Sequence, residues 1–144
     1  MGIWAAVAAL CGTLAAADSE AEIARQLLAL EHRAMDGWMT GNPDGDLAIS
    51  DATITYIHAG VDKRLDGLPA VREFFEKYRG TPLFDGYEII EPKVQVSGDI
   101  AVLTSYFDFR NGTTLRRYCS TQVFQRRKEG WRIIHAHWSK AGAQ

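Results

Sequence analysis

Residues 120–139 read STQVFQRRKEGWRIIHAHWS, and this stretch decides the fold. Two runs rich in β-branched and aromatic residues flank the polar turn Lys128-Glu129-Gly130. Such runs joined by a short turn that contains glycine are typical of neighbouring antiparallel strands. The pattern therefore predicts one strand over residues 113–127 and a second over residues 131–139.

The same alternation extends upstream of this hairpin. Residues 87–97 and 100–110 are two more candidate strands, joined through Gly98-Asp99. Asn111-Gly112, the strongest short hairpin signal, then reverses the chain into residues 113–127. The C-terminal half is thus predicted to be a meander of four long antiparallel strands.

The N-terminal half has the periodicity of helices. Ser19 and Glu22 form a capping box at the start of a helix predicted over residues 19–40. Its apolar side chains recur every three or four residues, at Ile23, Leu27, Leu30, Ala34 and Trp38. A second helix is predicted over residues 68–79, with Pro69 in its first turn.

Three shorter elements are predicted between these helices. Residues 46–50 favour one more helical turn, residues 53–58 a strand, and residues 63–65 its short returning partner. Two helices, a hairpin and a meander predict one α+β domain over residues 18–144, with helices packed on one sheet face. The net charge of -2 opposes nucleic-acid binding, which needs a basic surface.

Residues 1–17 have the composition of a secretion leader. Residues 3–17 carry no charge and end in Ala15-Ala16-Ala17, which suits signal peptidase. The stretch is shorter than the roughly 20 residues that span a bilayer. We expect cleavage after Ala17 and a secreted or periplasmic protein, not held in a membrane once the leader is removed. The alternative is a misassigned start or a loose helix on a cytoplasmic protein.

Several motifs resemble the NTF2-like superfamily, in particular its SnoaL-like, DUF4440 and calmodulin-kinase association-domain branch. The quoted C-terminal stretch, Glu91-Pro92-Lys93-Val94, and Leu65-Asp66-Gly67 before a helix carry the resemblance, which covers residues 22–142. It implies a cone: a strongly curved, mostly antiparallel sheet with helices on its concave face. The fold alone does not define an activity, because isomerases, dehydratases, cyclases, transport factors and association hubs share it.

The resemblance also implies which side chains face into the cone. It places Trp138 inward, and the alternation of a regular strand then puts Trp131, Ile133, His135 and His137 on the outer face. Gln122, Phe107 and Trp138 occupy positions that carry arginines in the kinase hubs. All three are uncharged, which counts against an acidic ligand held in the hubs' manner.

His58 is the candidate catalytic residue. It matches the position of the proton-shuttling carboxylate of ketosteroid isomerases, and histidine titrates near neutrality. The alternative is a partly buried histidine with no catalytic part. The isomerases' oxyanion-binding tyrosine would fall near Ala34 or Met35, and neither side chain donates a hydrogen bond.

The implied pocket is apolar and aromatic, which suits a mostly apolar small molecule. Its predicted ligand-binding residues are Trp38, Tyr56, Phe75, Phe107, Gln122 and Trp138. Alternatively, the aromatic residues only fill the core. No metal or other cofactor is expected, because His135 and His137 lack a third ligand by spacing.

Three functions remain open from the sequence. The first is a small-molecule-binding protein, or a lyase or isomerase with His58 as base. The second is a noncatalytic homodimeric association domain whose outer sheet face makes the contact. The third is a metal-free iota-type carbonic anhydrase, although Trp138 would crowd its carbon dioxide site.

Overall fold

A computed structural model describes residues 17–142. Of the predicted leader it describes only Ala17, so residues 1–16 lie outside the described range and the leader stays a prediction. Within residues 17–142, no helix is long and apolar enough to cross a membrane.

Three helices precede or interrupt the sheet. Helix α1 spans Glu20–Trp38, and the Ser19 side chain accepts a hydrogen bond from the Glu22 N–H, which confirms Ser19 as its N-cap. The Glu22 carboxylate accepts from Arg25 and Gln26 instead, so the return bond of the predicted capping box is not formed. Helix α2 spans Asp44–Ile49, and α3 spans Leu68–Glu76. Helix α3 ends three residues before the predicted boundary, because residues 77–80 tighten into turns that end at the positive-φ Gly80.

Six strands form one sheet in the order β2-β1-β6-β5-β4-β3. Their bounds are β1 Ser50–His58, β2 Leu65–Asp66, β3 Gly86–Ser97, β4 Ile100–Asn111, β5 Thr114–Arg127 and β6 Gly130–Lys140. Strands β1 and β6 pair in parallel, whereas every other pair is antiparallel. The α+β class and the mostly antiparallel, curved sheet with helices on its concave face are confirmed.

A bulge in β6 corrects one sequence expectation. Val123 pairs with His135, but its neighbour Phe124 pairs with Ile133, so Ile134 is an extra residue. An extra residue reverses the alternation of side chains beyond it. His137 is exposed, on the face opposite the inward Trp138, as predicted. The prediction that Trp131 and Ile133 also face outward is wrong.

Both misplaced residues lie in the core beneath the helices. Trp131 is 3% exposed and donates a hydrogen bond from Nε1 to Gln26 on α1, and Ile133 is 1% exposed. The outer face therefore lacks the apolar pair on which the homodimer prediction rested. The homodimer itself stays a prediction.

Candidate functional site

A cavity of about 370 Å³ lies between the helices and the concave face of the sheet. Its walls come from every helix and from strands β1, β4, β5 and β6. Most of the predicted site residues line it, namely Trp38, Tyr56, His58, Phe75 and Trp138. The exposed Leu83 and Arg116 also line it, so the cavity opens to solvent on their side.

Phe107 and Gln122, the other two predicted residues, lie behind the cavity wall. Phe107 is fully buried and packs against Trp138, with ring centroids 4.7 Å apart. Gln122 is 3% exposed and donates a hydrogen bond from Nε2 to Glu31 Oε2 over 3.2 Å. Neither residue lines the cavity: Phe107 supports its wall through Trp138, and Gln122 bonds to Glu31 in the core.

The aromatic wall is held together by edge-to-face packing. The Phe75 ring meets Trp38 at a centroid distance of 5.2 Å and Tyr56 at 5.4 Å, both nearly perpendicular. This geometry is favoured by the ring quadrupoles and orders bulky side chains around a space. Trp38, Tyr56 and Phe75 thus make a fixed apolar surface.

His58 sits in this wall with a defined tautomer. The Gly60 N–H donates to His58 Nδ1 over 2.8 Å, so in the neutral ring the proton is on Nε2. Burial, together with the nearby positive charge of Lys140, lowers the pKa of His58 below its ordinary value of 6.5. At neutral pH the ring is uncharged and offers an N–H donor.

Asp46 is a cavity residue that the sequence analysis did not identify. Its Oδ2 accepts a hydrogen bond from Trp38 Nε1 over 3.0 Å. Burial raises the pKa of Asp46 to about 6, and the Trp38 hydrogen bond opposes part of that rise. A carboxylate that titrates near neutrality in an apolar wall is suited to proton transfer.

Two glycines bring Asp46 beneath Trp38. A Cβ at Gly37 would lie 2.5 Å from the Asn42 carbonyl oxygen, and one at Gly45 would lie 3.0 Å from the Arg33 carbonyl oxygen. The missing Cβ lets α1 approach the connection to α2 at Gly37, and lets α2 approach α1 at Gly45. Gly37 and Gly45 were therefore the sequence signal that α2 packs tightly on α1.

Glu31 is a second acid that sequence reasoning missed. It is 1% exposed, and burial raises its pKa to about 8, with Asp46 adding to the rise. Its position was readable, because Glu31 follows Leu27 by four residues on the buried stripe of α1, where Leu30 had been expected. At neutral pH Glu31 is mainly protonated.

Glu31 belongs to a buried polar cluster with Gln122, Ser105 and Ser120. Ser105 and Ser120 pair across β4 and β5, next to Leu103 and Gln122. Among the described residues, Glu31 Oε1, Gln122 Oε1 and both serine hydroxyls are buried without a hydrogen-bond partner. Buried polar atoms of this kind are commonly satisfied by ordered water.

The histidines of β6 do not form a metal site with other residues of the described range. His135 Nδ1 lies 2.8 Å from Thr55 Oγ1 on β1, and His137 is exposed. No group of three or more His, Cys, Asp or Glu side chains in residues 17–142 is arranged to hold a metal ion.

Solved structures share this architecture. A provisional ketosteroid isomerase from Parabacteroides distasonis superposes with a TM-score of 0.74 at 27% identity, covering 83% of this chain and 88% of its own. The CaMKII hub of S. rosetta gives 0.66 at 23% identity, with 81% and 95% covered. An NTF2-like superfamily protein from Salmonella enterica gives 0.69 at 18% identity, with 88% and 96% covered.

Sequence comparison assigns the family. No curated protein matches the chain significantly. The family model of the SnoaL-like domain matches residues 33–143, which is most of the chain and includes every element from the end of α1 to β6. The chain therefore belongs to the SnoaL-like domain family and has the NTF2-like fold.

Proposed function

We propose that the cavity binds a mostly apolar small molecule that contains a carbonyl group, and that the protein moves a proton on it as an isomerase or lyase. The single observation that carries this proposal is Asp46, a half-buried carboxyl group that lines the cavity and whose pKa is raised to about 6. Such a group is largely ionised at pH 7 yet still basic enough to remove a proton from carbon.

Asp46 acts as the base in this reaction. Trp38 Nε1 donates to Oδ2, so Oδ1 is the oxygen that accepts the substrate's proton. The proton leaves a carbon next to the carbonyl group, and the electron pair of that C–H bond moves onto the carbonyl oxygen to give an enolate. Return of the proton to another carbon completes an isomerisation. Loss of a leaving group from the adjacent carbon completes an elimination.

His58 acts as a hydrogen-bond donor to the enolate oxygen. The Gly60 N–H occupies Nδ1, and a base at Nε2 would need the tautomer that places two hydrogens against each other at Nδ1. This hydrogen bond therefore favours His58 as a hydrogen-bond donor, and not as the base that the sequence suggested. A donor aimed at a developing negative charge is often the largest catalytic contribution.

Tyr56 is a second donor on the same wall. Its ring stacks on His58 at a centroid distance of 5.9 Å. Burial and the nearby Asp46 and Glu31 carboxyl groups raise the pKa of the Tyr56 hydroxyl well above its ordinary value of 10.0. The hydroxyl thus keeps its proton at neutral pH, and it replaces the tyrosine that Ala34 or Met35 cannot supply.

The similarity to a provisional ketosteroid isomerase supports this class of reaction, whereas the similarity to a CaMKII hub supports only the fold. The noncatalytic association domain loses support with Trp131 and Ile133 in the core. Ionised Asp46 is required, so activity should rise with pH through about 6.

Deuterium exchange of a simple ketone tests the proposal. Cyclohex-2-enone in D₂O with the protein should exchange its acidic C–H hydrogens faster than with buffer, followed by proton NMR. Asp46→Asn should lower the protein-dependent rate by roughly 10²–10⁴-fold, the range for a positioned base. Asp62→Asn, in an exposed loop, is the matched control and should keep the full rate. Equal rates for both variants and the wild type would refute Asp46 as base.

A further inference from the structure

Two cations lie at the open end of the cone, on the same sheet face as the cavity. Arg116 pairs with Phe109 across β4 and β5, and Lys140 pairs with Tyr118 across β5 and β6. Phe109 and Tyr118 both line the cavity. Because strand side chains alternate, Arg116 shares the face of Tyr118 two residues on, and Lys140 that of Trp138.

These two cations differ from their neighbour Arg117. The Arg117 guanidinium donates two hydrogen bonds of 2.6 and 2.7 Å to Asp108, so the two opposite charges compensate each other. Within residues 17–142, Arg116 and Lys140 make no side-chain hydrogen bond and no ion pair. Among residues 17–142, no carboxylate pairs with either of these two positive charges at the rim of the cone, in a protein whose net charge is -2.

A groove that contains both cations lies next to the cavity. It has a volume of about 620 Å³ and contains Arg116, Arg117, Lys140 and Asp108. Arg116 and Tyr118 line both the groove and the aromatic cavity. A single molecule can thus place an apolar body against the aromatic wall and a charged end in the groove.

We propose that the ligand carries an anionic group, a carboxylate or a phosphate, that extends from the cavity over the rim and binds Arg116 and Lys140. This inference rests on the proposed function, because it concerns the ligand of the same cavity. Arginine is the side chain best suited to hold either group through paired hydrogen bonds. The rim position also explains why the uncharged Phe107, Gln122 and Trp138 do not exclude an acidic ligand: its charge stays outside the cone.

Isothermal titration calorimetry with three matched probes tests the inference. The probes are 4-phenylbutanoate, 3-phenylpropyl phosphate and the neutral 4-phenylbutanamide, which share a phenyl body of similar reach. The wild type should bind at least one anion roughly tenfold more tightly than the amide, as expected for a charge-assisted contact at an exposed rim. The stronger of the two anions identifies the group, and added salt should weaken its binding but not that of the amide.

Variants separate the rim from the cavity. Arg116→Gln should reduce anion affinity about tenfold and amide affinity much less, because the amide carries no charge for the guanidinium to bind. Arg33→Gln, an exposed residue of α1 that lines neither the cavity nor the groove, is the control and should change neither affinity. Equal binding of anions and amide, with no effect of Arg116→Gln, would overturn the inference and leave the proposed function standing.

Other outcomes bear on the proposed function. If none of the three probes binds at millimolar concentration, both the anionic ligand and the small-molecule cavity are refuted. If the anions bind through Arg116 but the protein catalyses no deuterium exchange, the inference holds and the proton-transfer reaction fails.

Discussion

Two acids of this protein, Glu31 and Asp46, show how position within one cone changes the ionisation of a carboxyl group. Glu31 is fully buried and Asp46 is half-buried, and burial raises both pKa values, to about 8 for Glu31 and about 6 for Asp46. Glu31 accepts a hydrogen bond from the buried Gln122, whereas Asp46 lines a cavity open to solvent. The same carboxyl chemistry therefore gives a mainly neutral group in the core and a largely ionised group at the cavity wall at neutral pH.

The largest effect that tests this contrast is on stability. The carboxyl group of Glu31 has an ordinary pKa of 4.5, so the unfolded chain releases the proton near that pH, whereas the folded protein holds it up to about 8. The free energy of unfolding should therefore fall as pH rises between these values, by about 1.4 kcal/mol for each unit that the pKa is raised. Glu31→Gln cannot titrate and should lose most of this decline.

Urea unfolding at pH 5 and pH 8.5 measures the free energy of unfolding and so tests this prediction. At pH 8.5 the wild type should be less stable than Glu31→Gln. The free energy of unfolding of the variant should be higher there by an amount on the order of a few kcal/mol. Glu129→Gln, in the exposed turn before β6, is the control and should follow the wild type. A Glu31→Gln variant with an undiminished decline would place the titrating group elsewhere.

A smaller effect sharpens the description of Asp46. The Trp38 Nε1–H hydrogen bond holds the pKa of Asp46 below the value that burial alone would give. Trp38→Phe keeps an aromatic ring but removes the donor, so the pKa of Asp46 should move upward, together with the midpoint of the pH–rate profile. Trp138→Phe changes a cavity tryptophan that does not bond to Asp46, and should leave the midpoint in place. Equal shifts in the two variants would mean that packing, not the hydrogen bond, controls Asp46.

Local pattern was enough to predict most of the fold. Helix α1 and the four strands of the meander follow from periodicity and turn residues, because these signals act within a few residues of the chain. The bulge at Ile134 was not predicted, since neither glycine nor proline marks it and its cause lies in pairing with β5. One unmarked extra residue was enough to move Trp131 and Ile133 from the expected outer face into the core.

The site was predicted less completely, for a related reason. The aromatic wall could be inferred from the resemblance, but Asp46 lies in the short helix α2, where no sequence motif marked it as a cavity residue. Its burial depends on the close packing of α1 and α2 at Gly37 and Gly45. The tautomer of His58 depends on a backbone N–H two residues away, and side-chain identity alone does not reveal that contact.

Direct titration of the two acids tests the central claim without any substrate. Carboxyl carbon chemical shifts of Asp46 and Glu31, followed by NMR from pH 3 to pH 9 and assigned with Asp46→Asn and Glu31→Gln, report each proton separately. The account predicts that Asp46 titrates near 6 and Glu31 near 8. Midpoints for both groups at their ordinary values, 3.8 for Asp46 and 4.5 for Glu31, would contradict it.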